Sequence, residues 1–310
     1  MSGGGSAGPG LSHLGFLYHG VSEYVDTITD FVRDGLAAGE PTMVAVPGRK
    51  VDLLQASLRL DGAHYVDMAE LGRNPSRIIP AIREFADQFN GGPTRFVGEP
   101  IWLGRNIDET VEAIRHEALV NIAFAKSPVS VLCPYDSEVL PKRVTDQSWR
   151  IHPIVIDGRL ARVSGRYSDP EAVYADDAWP LGPAPADAEV REFRTEMDLT
   201  RMRSWVQHFG WSANLAIDRN DDLVLAVSEV ASNSVRHGGG AGALTLWCDD
   251  RGAVVSEVRD YGRITDPLVG RYPPGPDLEV NGLWLVNQLC DLVQIRSGPD
   301  GTSVRLTISA

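Results

Sequence analysis

The amino-acid sequence predicts two domains in series: an N-terminal α/β domain with a mostly parallel sheet, and a C-terminal α+β domain. Three observations carry this. From about residue 11, short apolar runs alternate with helical patterns, the rhythm of strands flanked by helices. That rhythm stops between about Ser168 and Asp187. There Ser168-Asp-Pro, Ala175-Asp-Asp-Ala-Trp-Pro and Leu181-Gly-Pro-Ala-Pro-Ala-Asp make a Pro-, Ala- and Asp-rich stretch that reads as a linker. After it, helical patterns come first and apolar strands then pair through short turns. The 310 residues suit about two domains, since one core serves roughly 100–200 residues. The expected boundaries are a tail over 1–10, a first domain over 11–167, a linker over 168–189 and a second domain over 190–310.

The elements follow in chain order. Met1 to Gly10 reads as a flexible Gly- and Ser-rich tail, and no signal peptide is expected there because the charged and apolar regions of one are missing. His13 to Tyr18 reads as a buried strand. Ser22 begins a helix with Tyr24, Val25, Ile28, Phe31, Val32 and Leu36 at helical spacing, closed by Gly39. Residues 42–46 form a second strand, ended by the turn Pro47-Gly48. Helices are predicted over 51–60, 75–89 and 107–125, and a short strand over 94–97. The strand over 129–133 is so apolar that it belongs at the centre of the sheet. In the second half, helices are predicted over 199–211 and 221–236. Strands over 243–248 and 253–258 are joined by Asp249-Asp-Arg-Gly252, a hairpin turn. A Pro- and Gly-rich loop runs from Gly262 to about Val280. A helix over 283–289 follows, then strands over 292–297 and 303–309 joined by Gly298-Pro-Asp-Gly301.

Composition narrows the function. Hydrophobic residues at 43% and charged residues at 23% are ordinary for a soluble globular protein. A formal net charge of -13 argues against binding nucleic acid or an anionic membrane, which needs clustered Lys and Arg. It leaves room for a protein partner or a nucleotide. Cys133, Cys248 and Cys290 are far apart with no CxxC spacing. They read as three buried small residues, with neither a disulfide framework nor a zinc site, as in a reducing cytosol. No apolar run approaches the ~20 residues that span a bilayer, so a cytoplasmic location is expected.

The residues that point to chemistry lie on the helix around 221–236. At about 100° per residue, Leu223, Val227, Val230, Ala231 and Ser234 cluster on one side, and Glu229, Asn233 and Arg236 on the other. A solvated face is the ordinary meaning of such a stripe. Two details weigh against it here. Asn is a poor residue for a helix interior, and the helix runs into His237-Gly-Gly-Gly240, where backbone can approach a ligand. An Asn oxygen is a hard, neutral ligand suited to Mg²⁺ beside a triphosphate. A Glu one turn earlier, on the same face, suits deprotonation of an attacking hydroxyl.

Four segments, in this order and spacing, resemble the nucleotide-binding boxes of the GHKL superfamily, and among its members bacterial anti-sigma regulatory factors of the serine-kinase type. They are Ser228-Glu-Val-Ala-Ser-Asn-Ser-Val-Arg-His237, Val258-Arg-Asp-Tyr-Gly262, Asn281-Gly-Leu-Trp-Leu-Val-Asn-Gln-Leu-Cys-Asp291 and Gly301-Thr302, within about 190–310. The resemblance implies a Bergerat-type α/β sandwich. It assigns ATP binding to Asn233, Arg236, His237, Asp260, Gly262, Gly282, Leu283 and Thr302, the Mg²⁺ ligand to Asn233 and the catalytic base to Glu229. Asp260 would accept from the adenine amino group and Gly262 would let the base lie against backbone. Gly282 would open a helix whose free N–H groups suit phosphate. The loop 263–280, with Pro267, Pro273, Pro274 and Pro276, would be a short, stiff lid. Ile264 and Val280 stand where the family has glycines. Leu278 stands near the place of an Arg that contacts the terminal phosphate in some relatives; Arg263 or Arg271 would have to supply that charge.

The first half resembles the MEDS sensory domain, a RecA-like α/β module, over about 11–165. His13-Leu-Gly-Phe-Leu-Tyr18, Phe31-Val-Arg-Asp-Gly35 with Gly39-Glu40, His116-Glu-Ala-Leu-Val-Asn121, Cys133-Pro-Tyr-Asp136 and His152-Pro153 carry it. No G-x-x-x-x-G-K-[ST] is present, and Pro47-Gly-Arg-Lys50 reads as a turn with basic residues. His13, Tyr18, Glu117 and Tyr135 either line a cavity for a small ligand or serve as core residues. Three functions stay open. One is an ATP-dependent serine kinase of the anti-sigma type, with a sigma factor and a STAS-type antagonist as partners. Another is an ATP-binding switch without phosphoryl transfer. The third is a sensor histidine kinase, for which His208 would be the phosphoacceptor. A homodimer is plausible by resemblance.

Overall fold

The computed structural model describes residues 10–58, 62–176, 178–273 and 282–309. The tail before Gly10, Leu60, Pro274, Pro276, Leu278, Val280 and Asn281 lie outside the described residues. The chain divides into two compact units, Met1–Asp177 and Ala178–Ala310. The stretch 168–189 contains a short helix, and its division point falls inside it.

In the first unit the elements are β1 (Ser12–Tyr18), α1 (Gly20–Ala37), β2 (Thr42–Val46), α2 (Gly48–Leu58), β3 (Ala63–Asp67), α3 (Met68–Leu71) and α4 (Ile78–Asp87). They continue with β4 (Thr94–Gly98), α5 (Ile107–Ala123), β5 (Val129–Asp136), α6 (Lys142–Ile151), β6 (Ile154–Asp157), β7 (Leu160–Val163) and α7 (Pro170–Tyr174). Among the described residues the strands form one sheet in the order β3-β2-β4-β5-β1-β6-β7. All neighbours are parallel except the last pair, β6 and β7. The apolar β5 sits in the middle, where both faces are covered. Residues 75–89 do not form one helix. Pro75–Arg77 is a 3-10 turn, capped by the Asn74 side chain, and the α-helix proper begins at Ile78.

The two faces of this sheet differ in chemistry. One carries Phe16, Tyr18, Val44, Val46, Val97 and Leu132, packed against Tyr24, Ile28 and Val32 of α1 and Leu54 of α2. Strand alternation turns His13, Gly15, Cys133 and Tyr135 to the other face. There they meet α5, which buries Glu112, Arg115, His116, Glu117 and Asn121 along with its apolar residues. Helix α5 starts with a capping box: Asn106 accepts from the Glu109 N–H, and the Glu109 side chain accepts from the Asn106 N–H. Asn106→Ala removes one acceptor from the helix start and should lower stability by about 1 kcal/mol in chemical denaturation. An unchanged denaturation midpoint would contradict the capping role.

The second unit holds β8 (Glu189–Phe193), α8 (Glu196–Ser212), α9 (Ile217–His237), β9 (Gly242–Cys248), β10 (Val254–Asp260), α10 (Gly282–Leu289), β11 (Leu292–Gly298) and β12 (Gly301–Ile308). The strands form an antiparallel sheet in the order β11-β12-β10-β9-β8. The core joins the helices to one sheet face through Leu199, Trp205, Val227, Val230, Leu244, Val258, Val286 and Val304. This is the α+β architecture the sequence predicts. One expectation needs correcting: Cys133 and Cys290 are buried, but Cys248 is exposed. It ends β9 at the mouth of the Asp249–Gly252 turn, where the strand leaves the core.

Candidate functional site

The site lies where α9 ends, β10 ends, α10 begins and β12 begins. Asp260 is the last residue of β10, in register with Thr302 on one side and Gly242 on the other. Two hydrogen bonds fix its carboxylate. Oδ2 accepts from Ser234 Oγ at 2.6 Å and Oδ1 from the Gly262 N–H at 2.7 Å. The Oγ–H of Ser234 is thus turned out of the helix core toward the site, though the residue itself is buried.

Absence of side chains lets the segments approach. A Cβ at Gly238 would lie 2.4 Å from Asp260 Cγ, and one at Gly262 would lie 2.7 Å from Gly238 Cα and 2.8 Å from His237 O. The loop after β10 is then tied to the β11–β12 hairpin by a chain of hydrogen bonds. The Ile264 N–H donates to Ser297 Oγ at 2.8 Å, Ser297 Oγ lies 2.8 Å from Thr302 Oγ1, and Thr302 Oγ1 donates to Gly262 O at 2.9 Å. Further along, buried Asn287 of α10 donates to Gly270 O at 2.9 Å.

The start of α10 rests on the polar stripe of α9. A Cβ at Gly282 would lie 2.6 Å from Glu229 Oε2 and 3.4 Å from Asn233 Nδ2. The first N–H groups of α10 have no partner within their helix and carry the positive end of its dipole, a setting for phosphate oxygens.

These segments enclose a cavity of about 360 Å³. Asn233, Arg236, His237, Asp260, Gly262, Gly282, Leu283 and Thr302 all line it. Val230, Ile264, Val269 and Val304 give it an apolar wall, and Arg263 joins Arg236 and His237 among its polar groups. The size lies within the usual range for small-molecule sites, roughly 300–1,000 Å³. Glu229 is half-buried beside Gly282 and is not among the lining residues. Arg263 lines the cavity; Arg271 is buried and does not. Ile264 fills part of the wall at the position of the family's glycine. Ser234, Gly238, Asn287 and Ser297 were not singled out by sequence. The one available signal was Ser234, a hydroxyl on the apolar side of α9.

In the first unit, His13, Tyr18, Glu117 and Tyr135 are all buried, and Tyr18 lies on the opposite face of the sheet from His13 and Tyr135. Residues 13 and 18 of the same strand point to opposite faces. Tyr18 belongs with Lys50 and Glu99 at the ends of β1, β2 and β4. Lys50, in the first turn of α2, pairs with the buried Glu99 carboxylate and donates to Tyr18 Oη at 2.6 Å. Tyr24 donates to Glu99 at 3.0 Å, and Tyr18 donates to Asp136 at 3.0 Å. Burial pushes the Glu99 carboxyl up, against the opposing pull of the Lys50 ammonium and the two phenols. Lys50 therefore does more than decorate a turn. No described helix is long and apolar enough to cross a membrane.

Similarity to known proteins agrees with this division. Residues 12–153 match the MEDS family, the methanogen/methylotroph, DcmR sensory domain, and residues 193–308 match the histidine kinase-like ATPase domain. No curated protein matches the chain. Among solved structures, the RsbU and RsbW domains of Rv1364c from Mycobacterium tuberculosis are similar at 20% identity with a TM-score of 0.30, over 39% of this chain and 33% of that one. The chain thus spans about a third of the length of that structure. In chain order, a MEDS domain at residues 12–153 is followed by a histidine kinase-like ATPase domain at residues 193–308.

Proposed function

We propose that the second unit binds ATP with Mg²⁺ and acts as a regulator of the anti-sigma type, transferring phosphate to a Ser of a STAS-type antagonist and sequestering a sigma factor. The MEDS domain, spanning 11–167 and joined through 168–189 to the ATP domain at 190–310, biases that output when a small ligand binds. One observation carries the proposal. Eight residues assigned to ATP from four separate segments of the chain line the same cavity.

The residues divide the work as follows. Asp260, held by Ser234 and Gly262, keeps lone pairs for the adenine amino group. The apolar wall of Val230, Ile264, Val269 and Val304 suits the base. The α10 N-terminus, Arg236, His237 and Arg263 suit the phosphates. Asn233, facing Gly282, offers its carboxamide oxygen to Mg²⁺, which supplies charge neutralisation on the triphosphate when bound. Glu229, one turn before Asn233, takes the proton of the attacking serine hydroxyl. The new bond forms from that oxygen to the terminal phosphorus, and the bond to the leaving ADP oxygen breaks.

ATP titration with and without Mg²⁺ tests the metal assignment. Asn233→Ala should bind ATP as the wild type does without Mg²⁺ and lose at least the roughly tenfold that even an outer-shell change costs a metal site when Mg²⁺ is present. Equal affinity of Asn233→Ala and wild type in Mg²⁺ would remove Asn233 from the site. A second reading, an ATP-dependent switch without transfer, is favoured by Ile264 in the cavity wall and by Glu229 lying outside the lining. Labelled ATP incubated with candidate STAS proteins separates the two, because only the kinase leaves phosphate on a partner serine.

A further inference from the structure

Four side chains from four elements converge between the sheet and helices α5 and α6 of the first unit: His13 of β1, Glu117 of α5, Cys133 of β5, and His152 just past α6. None is more than 3% exposed. One ligand atom from each lies within 4.8 Å of the others. His13 Nε2 is 3.3 Å from Cys133 Sγ and 3.4 Å from Glu117 Oε2, and His152 Nε2 is 3.1 Å from the same carboxylate oxygen.

The outer partners decide which ring atoms face inward. Asn121 donates its Nδ2–H to Ile151 O at 3.0 Å, so its Oδ1, 3.1 Å from His13 Nδ1, accepts from that ring. His152 Nδ1 lies 2.8 Å from Ser148 O, a carbonyl that only accepts. Both imidazoles therefore carry hydrogen on Nδ1 and turn the Nε2 atoms toward Glu117 and Cys133. As neutral rings they present two nitrogen lone pairs to a carboxylate oxygen that has only lone pairs of its own. In a dry core that arrangement repels unless a cation lies among them. The Cys133 thiol hydrogen can bridge to His13 Nε2 and one added proton can bridge His152 to Glu117, which leaves the His13–Glu117 contact at 3.4 Å unbridged.

We propose that His13, Glu117, Cys133 and His152 bind a divalent metal ion of the zinc class. Imidazole nitrogen, carboxylate oxygen and thiolate sulfur are each donors that zinc takes, and it takes four of them in a closed site. An ion with bonds of about 2.0–2.3 Å holds tetrahedral ligand atoms about 3.3–3.8 Å apart, close to the three contacts of 3.1, 3.3 and 3.4 Å, and the remaining pairs lie within 4.8 Å. Asn121 and the Ser148 carbonyl are the outer-shell acceptors that orient metal-bound histidines. Charge also balances: two positive charges meet one carboxylate and one thiolate, whose proton leaves on binding. Gly15 leaves room, since a Cβ there would lie 3.0 Å from His152 Nδ1. Four protein ligands close the coordination sphere, so the ion is structural in type. The site is independent of the ATP-binding reading.

The test uses the untagged full chain. Metal content is measured after purification from zinc-supplemented medium and dialysis against a chelator, and the chain is then loaded with Zn²⁺ and with Co²⁺. The expected result is about one ion per chain, a tetrahedral Co²⁺ spectrum with a thiolate-to-cobalt band, and a higher thermal midpoint with Zn²⁺ than after stripping. Cys133→Ser should lose the thiolate band, and Cys248→Ser, altering the exposed cysteine, should change nothing. Wild-type chain that is folded yet takes up no Zn²⁺ or Co²⁺ overturns the proposal, whatever the variants do. So does a thiolate band that persists in Cys133→Ser.

Discussion

Asp260→Asn should weaken ATP binding by about ten- to hundredfold with the fold preserved. The replacement keeps a carbonyl oxygen for the Gly262 N–H. Its amino group meets Ser234 Oγ, which can turn and donate instead to Val230 O, 3.2 Å away. The internal network therefore survives. Toward the cavity, an acceptor becomes a donor, and under the proposed assignment it faces the adenine amino group, itself a donor. A hydrogen bond to a charged group contributes about 1.5–3 kcal/mol, which sets the size of the loss. Guanine presents a carbonyl oxygen at the corresponding place, so the preference for ATP over GTP should narrow. Calorimetric titration with both nucleotides checks this. Wild-type ATP affinity in Asp260→Asn would take the adenine contact away from this residue.

Gly301→Ala should produce the largest loss of stability in the second unit. Gly301 sits at φ +114, a backbone conformation that side chains rarely adopt, and an added Cβ would lie 2.1 Å from the Asp260 carbonyl oxygen. That oxygen belongs to the β10–β12 ladder beside the Asp260–Thr302 pair, so backbone would have to yield on both strands. Backbone strain and overpacking together cost roughly 2–6 kcal/mol, a large part of the 5–15 kcal/mol that holds a typical domain. Gly298→Ala, at the other end of the same turn, meets nothing within 4 Å and should stay within about 0.5 kcal/mol. Chemical denaturation of the two variants side by side decides it. Matching midpoints would mean that the turn relaxes and that Gly301 is not required by packing.

Much of the second unit was legible because its signals are local. The stripe on α9, the hairpin turns and each of the four boxes lie within a short stretch of chain, and one cavity gathers residues from all four boxes. Of the four edge strands, β11 was legible and β3, β7 and β8 were not. Strand β7 is exposed along its whole length, and β8 is exposed except at Phe193, so neither carries an apolar alternation. Strand β3, Ala-His-Tyr-Val-Asp, is only half-buried and has the same difficulty. Helix α5 was legible by length, but being buried nearly all round it lacks the stripe that would show which face meets the sheet. Ser297 and Asn287 leave no local signal in the sequence, because their partners, Ile264 and Gly270, are loop backbone groups far along the chain.

By itself the sequence determined the two-domain order, the central place of β5 and the polar face of α9, because periodicity and turn chemistry act over a few residues; the eight residues found along one cavity of the second unit came from the resemblance to the GHKL boxes. Only the tertiary structure decided that Glu229 stands behind Gly282 rather than in the cavity wall, that Arg263 and not Arg271 reaches it, and that Tyr18 and His13 serve opposite faces of one sheet. It also decided the grouping of His13, Glu117, Cys133 and His152. Cysteine spacing argued against a zinc site, since these ligands are spread over most of the first unit. Parallel pairing of β1 with β5 brings them together, and such pairing joins distant segments through backbone hydrogen bonds that leave no mark on the spacing of side chains.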